Sequence, residues 1–278
     1  AKQTAEGNKL TWTSAYGETP QPVEITEDFE SAESWAHEYG QWTFYDGDRE
    51  AVGGIQDVTI PGIDAGFSTA SFFVMDNSEY GFEEFTAVSG HKFIASLCLR
   101  NYYNAVDDWA ISPLLSGAAQ TISFYASSIN NTYPEKIEVW YTSEESTDIA
   151  DFVQDNTFNI KTVPGEWTRY TAELPAGTKH FAIHSMADDN LLLMIDDVSF
   201  TPDPTAGAPV LAGYNIYRDG VKLNSAPVTE GEYTDTEAPA GSHTYHVTAV
   251  YDRGESELSN PVTLEQSGVE AVLSAEAK

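Results

Sequence analysis

The chain has 278 residues, more than one average domain needs, so two domains are expected. Its 44 acidic residues against 13 basic ones leave a net charge of −31. Phosphate backbones and anionic lipid surfaces require clustered Lys and Arg, so nucleic acid and direct membrane binding are disfavoured and cations become the natural partners. Most of the acids read as a solvated surface, and a minority are free to line metal sites.

Taken in chain order, Thr4–Asn8 supplies a turn and Lys9–Thr13 an alternating strand with Leu10 and Trp12 on one face. Glu18–Pro22 is a proline-bearing linker. A second segment opens with Val23–Glu30, where Val23, Ile25 and Phe29 keep one parity. Gln41–Tyr45 then runs into the turn Asp46-Gly47-Asp48. Strand signals recur at Ala70–Val74, Lys92–Leu99, Asp108–Ser112, Thr121–Ala126 and Lys136–Tyr141, and again at Glu166–Ala172, Lys179–His184 and Leu191–Phe200. Ser89-Gly90, Ser116-Gly117 and Pro175-Ala176-Gly177 punctuate them, and one short helix is expected over Thr147–Gln154. This rhythm predicts a double-sheet jelly roll.

Thr201–Gly207 is a return linker. Strands follow at Ala212–Arg218 and Val221–Asn224, and a hairpin spans Ser242–Asn260. The strand at Lys9–Thr13 and the one at Ala212–Arg218 read as neighbours in one small sandwich of fibronectin-III type, interrupted by everything between. The expected fold class is therefore all-β: a jelly-roll β-sandwich inserted into, or flanked by, a smaller fibronectin-III-like β-sandwich. The expected boundaries are 1–22 plus 205–266 for the smaller sandwich, 23–204 for the jelly roll and 267–278 for a tail.

Chemical motifs are few. Cys98 is the single cysteine, so no intrachain disulfide forms, and its apolar neighbours make it a buried structural thiol. The six histidines form no His-Glu-x-x-His pattern, and no Gly-x-Ser-x-Gly elbow occurs. No run reaches the ~18 apolar residues of a membrane span. The start shows no basic-then-apolar leader, so any such leader is expected to have been removed. Asn101-Tyr102-Tyr103-Asn104 reads as a loop with paired rings and amides, and Tyr102 and Tyr103 are candidate ligand-binding residues that pack inward on the alternative reading.

Asp28-Phe29-Glu30, Trp42 with Asp46-Gly47-Asp48, Asp108–Pro113, Glu166-Trp167, Leu174–Lys179 and Ile195-Asp196-Asp197-Val198 together resemble the cleaved-adhesin domain, of choice-of-anchor-J type, in the haemagglutinin/adhesin regions of gingipains. The Tyr217-Arg218-Asp219-Gly220 turn and the Tyr245 to Asn260 hairpin resemble the fibronectin-III-like module that follows such domains. The resemblance implies a calcium-binding jelly roll from a secreted, surface-attached protein of a Bacteroidetes-type bacterium. Residues 51–64 match no part of it that is familiar.

Calcium takes six to eight oxygen ligands, usually from separated segments. Glu30 ends the first strand of the jelly roll and Asp196 and Asp197 lie in its last, so these three are candidate structural-calcium ligands. Asp46 and Asp48 form a second candidate pair, and turn or surface roles are the alternative for all five. The expected function is a non-enzymatic secreted or cell-surface adhesin or binding module, calcium-stabilised, that recognises host or extracellular protein or glycan as part of a larger protein. The alternative is a carbohydrate-binding accessory module of a secreted hydrolase or peptidase.

Overall fold

The computed structural model describes residues 1–4, 6–13, 21–55, 58–79, 85–101, 104–188, 191–207, 211–251 and 254–266. Its contacts divide the chain into two compact units, one made of Ala1–Thr19 with Gly207–Lys278 and one of Pro20–Ala206. Strands β1 (Lys2–Thr4) and β2 (Gly7–Thr11) precede the middle unit. That unit carries β3 (Ile25–Glu27), β4 (Thr43–Asp46), β5 (Phe73–Asp76), β6 (Lys92–Leu97), β7 (Asp108–Ile111), β8 (Gln120–Ser128), β9 (Glu135–Thr142), β10 (Val153–Gln154), β11 (Lys161–Val163), β12 (Thr168–Leu174), β13 (His180–Ser185) and β14 (Leu192–Phe200). The terminal unit resumes with β15 (Leu211–Arg218), β16 (Val221–Lys222), β17 (Glu232–Asp235), β18 (Gly241–Tyr251), β19 (Gly254–Glu255) and β20 (Val262–Gln266).

The middle unit is a sandwich of two antiparallel sheets. One runs β10-β9-β13-β7-β4 with β11 also on β9, and the other runs β12-β8-β14-β6-β5 with β3 also on β14. Side chains alternate across a strand, so each sheet can bury one face. On β12, Ala172 and Leu174 enter the core while Arg169, Thr171 and Glu173 meet solvent. Between the sheets lie Phe29, Trp42, Ile94, Phe124, Val139, Phe181, Ile195 and Phe200.

Strands β5 and β6 depart from alternation because both of their faces are covered. Phe73, Met75, Phe93 and Leu97 point away from the central core into a second one, closed by Trp35, Val52 and Ile60. Residues 51–64, unfamiliar in sequence, thus include a cover for the outer face of that sheet. Burial on both faces demands a continuous apolar run.

Two local expectations are corrected. In place of a helix over Thr147–Gln154 there is a single 3-10 turn, Ile149–Asp151, and then the strand β10. Asp148 caps the turn by accepting from the Ala150 N–H at 3.0 Å, while Phe152 is drawn into a cluster with Trp109 and the chain extends. The strand expected over Val23–Glu30 shortens to β3, because Phe29 sits at φ 57°.

The terminal unit places β2 and β15 in different sheets, a correction to their reading as neighbours. β2 pairs with β1 and β17, whereas β15 pairs with β16 and β18. They meet through side chains: Leu10, Ile216 and Tyr245 form a core against which Trp12 and Val247 pack, and the Trp12 and Tyr214 rings lie 5.2 Å apart. Leu10 is 4% exposed. Leu10→Ala is expected to cost about 2–5 kcal/mol, as buried leucine truncations do. Urea denaturation followed by tryptophan emission checks this, and a loss below ~1 kcal/mol would contradict the packing.

An acidic cluster and a carboxylate-bound turn

Strand pairing creates an unfavourable juxtaposition that turns out to be informative. Asp46, the last residue of β4, lies directly opposite Asp108, the first of β7. Like charges in register destabilise a strand pair. Asp48 follows on the turn, and one carboxylate oxygen each of Asp46, Asp48 and Asp108 lie within 4.8 Å of one another. Backbone donors orient the two loop acids. Asp46 Oδ1 accepts from Arg49 N at 2.6 Å, and Asp48 accepts from Glu50 N at 2.8 Å and Asp107 N at 2.9 Å. A Cβ at Gly47 would overlap the Asp107 carboxylate, so only glycine fits there.

Asp108 is 1% exposed. Its Oδ2 accepts from Ser96 Oγ at 2.7 Å, but its Oδ1 is buried without a hydrogen-bond partner. Burial, reinforced by Asp48, Asp46 and Asp107, pushes its carboxyl well above the usual range, and burial pushes Asp48 up too. An orphaned, buried carboxylate oxygen on a residue grouped with two other acids is costly while ionised, and a proton or a cation relieves it. The cluster could hold a metal ion, and its oxygen-only donors suit a hard cation such as calcium or magnesium better than zinc.

The other three candidate ligands converge on a different feature, the turn at residues 88–92. The left-handed Phe29 ends β3, and Glu30 Oε1 accepts from His91 N at 2.6 Å and Lys92 N at 2.5 Å. Gly90, at φ 59°, leaves room for that carboxylate. A bulge between Asp196 and Ser199, with Asp197 at φ 47°, re-aims β14. Asp196 Oδ2 accepts from Val88 N at 2.7 Å and Ser89 N at 3.2 Å, and Ser89 Oγ donates to Asp197 Oδ1 at 2.7 Å. Glu30, Asp196 and Asp197 thus grip one turn, largely through its N–H groups. Tyr102 and Tyr103 lie outside the described residues.

Burial pushes the Asp196 carboxyl up to about 7. An unfolded aspartate titrates near ~3.9, so the neutral form stabilises the fold below that value and the contribution is lost as pH rises through about 7. In chelator, the urea midpoint of the wild type should fall relative to Asp196→Asn between about pH 4 and 7. A wild-type midpoint that gains on the variant over that window would contradict the assignment.

A third group of side chains, unforeseen in sequence, surrounds Asp107. Tyr45, Trp109, His184 and Glu138 stand opposite one another across β4, β7, β13 and β9. Asp107 Oδ1 accepts from Trp109 Nε1 at 2.6 Å and lies 2.8 Å from His184 Nε2. The other His184 nitrogen lies 3.2 Å from Glu138 Oε2, which also accepts from Trp140 Nε1 at 2.9 Å. The His184 ring stacks on Trp109 with centroids 4.2 Å apart. The His184 contact holds the Asp107 carboxyl below its ordinary value. A signal existed: Asp107-Asp108 opens an otherwise apolar strand, and acids there need a local partner.

Hemagglutinin A of Porphyromonas gingivalis strain W83 is 28% identical over 195 residues, 62% of this chain and 9% of that protein. Lys-gingipain W83 of Porphyromonas gingivalis is 30% identical over 169 residues, 55% of this chain and 10% of that protein. The chain is homologous to hemagglutinin A and the gingipains. It spans about a tenth of the length of these curated relatives. In solved structures, the K2 cleaved adhesin domain of Lys-gingipain shares the fold with a TM-score of 0.50 at 21% identity, covering 64% of this chain and 99% of that domain. Residues 203–264 match the model of the β-sheet domain of rhamnogalacturonan I lyases. No helix among the described residues is long and apolar enough to cross a membrane.

Proposed function

We propose that the chain is a non-enzymatic adhesin or binding module of a secreted or cell-surface protein, recognising extracellular protein or glycan. The observation that carries this reading is the homology to hemagglutinin A and the gingipains, supported by the fold shared with the K2 cleaved adhesin domain. Recognition would be passive: a rigid double sheet presents its loops, and the terminal unit serves as a fibronectin-III-like spacer around a module with boundaries near 23 and 204. Two features speak for binding rather than turnover. Burial pushes the Cys98 thiol to about 11, the wrong direction for a nucleophile. His184 has a carboxylate at each ring nitrogen, which leaves it poorly placed to accept a substrate proton.

Calcium belongs to the same proposal. Asp46, Asp48 and Asp108 would hold it, and the ion would offset the repulsion among the three carboxylates and lock the turn that bears Asp48. Glu30, Asp196 and Asp197 are the second candidate set.

The second reading is an accessory module of a secreted polysaccharide-degrading enzyme, favoured by the lyase β-sheet match over residues 203–264. The purified chain should bind at least one immobilised extracellular protein or glycan and hydrolyse or eliminate none. Turnover lost on a single carboxylate-to-amide change would overturn the non-enzymatic reading. Binding confined to plant-type polysaccharide would favour the accessory module.

A further inference from the structure

The middle unit contains a cleft of about 410 Å3 that neither carboxylate site uses. Its size falls within the ~300–1,000 Å3 of small-molecule sites. Tyr39, Trp42 and Phe200 form its walls, and Glu27, Ser31 and Gln41 supply polar groups at its edge. The walls are rigid. Trp42 is 6% exposed and meets Phe29, Phe181 and Phe200 at centroid separations of 5.8, 5.9 and 5.8 Å.

The Trp42 indole nitrogen is buried and lacks a hydrogen-bond acceptor. Tryptophan N–H groups in protein interiors nearly always find one. The nitrogen belongs to a residue that lines the cleft. The polar edge is also pre-arranged. Tyr39 Oη donates to Glu27 Oε1 at 2.8 Å and shares a second hydrogen bond with Ser31 Oγ at 2.8 Å. Glu27 Oε1 also accepts from Phe29 N at 3.1 Å. A carboxylate, two hydroxyls and an amide therefore converge beside a fixed aromatic wall.

We propose that this cleft is a saccharide subsite that takes a neutral sugar residue of a glycan. The proposal rests on the binding-module reading and specifies its ligand class. A pyranose presents an apolar C–H face, which packs on the half-buried Tyr39 ring above a floor formed by the buried Trp42 and Phe200. It also presents hydroxyls that can donate to Glu27. Glu27 and Asp203 both line the cleft and no basic residue does, so acidic sugars are selected against. Proline-rich peptides also dock in aromatic grooves. The carboxylate–hydroxyl chain favours the sugar, because a proline ridge has no hydroxyl to engage it.

The test is a titration of the full chain with lactose, cellobiose and xylotriose, with digalacturonate as the charged comparison and an octaproline peptide as the peptide probe. Binding is read from the indole N–H resonances, with the Trp42 signal identified by its loss in Trp42→Phe. At least one neutral saccharide should shift that signal. Tyr39→Phe and Gln41→Ala should weaken its binding five- to tenfold, and Gln41→Ala, at an exposed position, should do so without changing the melting temperature. Digalacturonate should bind at least tenfold more weakly. Saccharide binding that leaves the Trp42 signal and both variants unaffected would overturn the subsite and leave the module reading intact. An octaproline-induced shift with no saccharide response would overturn the sugar assignment. No binding to any saccharide or any immobilised extracellular protein would remove both readings together.

Discussion

A chelator should lower the melting temperature of the chain, and added calcium should restore it. The expectation follows from Asp46, Asp48 and Asp108, whose carboxylate oxygens lie within 4.8 Å of one another, with Asp108 Oδ1 buried and unpartnered. A ligand that binds only the folded state stabilises it by mass action, about 2.7 kcal/mol at a hundredfold excess over its dissociation constant. For a unit of this size, each kcal/mol moves the midpoint by roughly 2–4 °C, so the shift should be about 5–10 °C. Asp108→Asn gives the sharper test. The amide keeps an acceptor for Ser96 and removes the buried charge. Without calcium the variant should therefore be more stable than the wild type at neutral pH. With calcium the order should reverse, because the variant has lost a ligand. Zinc should not substitute at similar concentration, since the donors are all oxygen. Equal midpoints for wild type and variant under both conditions would remove the cation from the account.

Much of the sandwich was legible because alternation is a direct image of a half-buried sheet. β12 shows it well: Arg169, Thr171 and Glu173 face solvent while Ala172 and Leu174 face the core, and its strand signal was visible at Glu166–Ala172. Legibility failed where a residue answers to a distant partner. Phe29 keeps the apolar parity of a strand, yet the chain turns there so that Glu30 can reach the N–H groups of His91 and Lys92. The grouping of Glu30, Asp196 and Asp197 followed from the resemblance and from first and last strands meeting in a jelly roll. The turn at 88–92 that receives them carried no mark beyond Ser89-Gly90. Asp108 was missed as a site residue for a similar reason. As the second of two acids at the head of a strand it looks like an end-cap, and its meaning appears only once register places it against Asp46. Leu10 was read as an apolar strand position, and Ile216 lies in the strand read at Ala212–Arg218. One-dimensional patterning could not say that their strands face each other across a core rather than pair edge to edge.

Replacing Asp107 should disturb both the acidic cluster and the aromatic ladder. Its backbone holds the cluster: Asp107 N donates to Asp48 Oδ2 at 2.9 Å, and its carbonyl accepts from Gly47 N at 2.7 Å. Its side chain holds the ladder through Trp109 Nε1 and His184 Nε2. Asp107→Ala keeps the backbone bonds but leaves the indole N–H, on a residue 5% exposed, without an acceptor. An unsatisfied buried donor costs about 1–3 kcal/mol, and loss of the charge-assisted contact to the imidazole adds to it, so a total near 2–4 kcal/mol is expected. Asp107→Asn retains one acceptor oxygen and should cost about half as much. Because the carboxylate also fills the space beside Gly47, the alanine variant should loosen the turn and weaken calcium binding severalfold. A double-mutant cycle with His184→Ala separates the parts: residues in direct contact couple by roughly 0.5–3 kcal/mol, whereas independent sites add. If Asp107→Ala lies within ~0.5 kcal/mol of wild type and binds calcium unchanged, the ladder and the cluster are separate features that happen to share a residue.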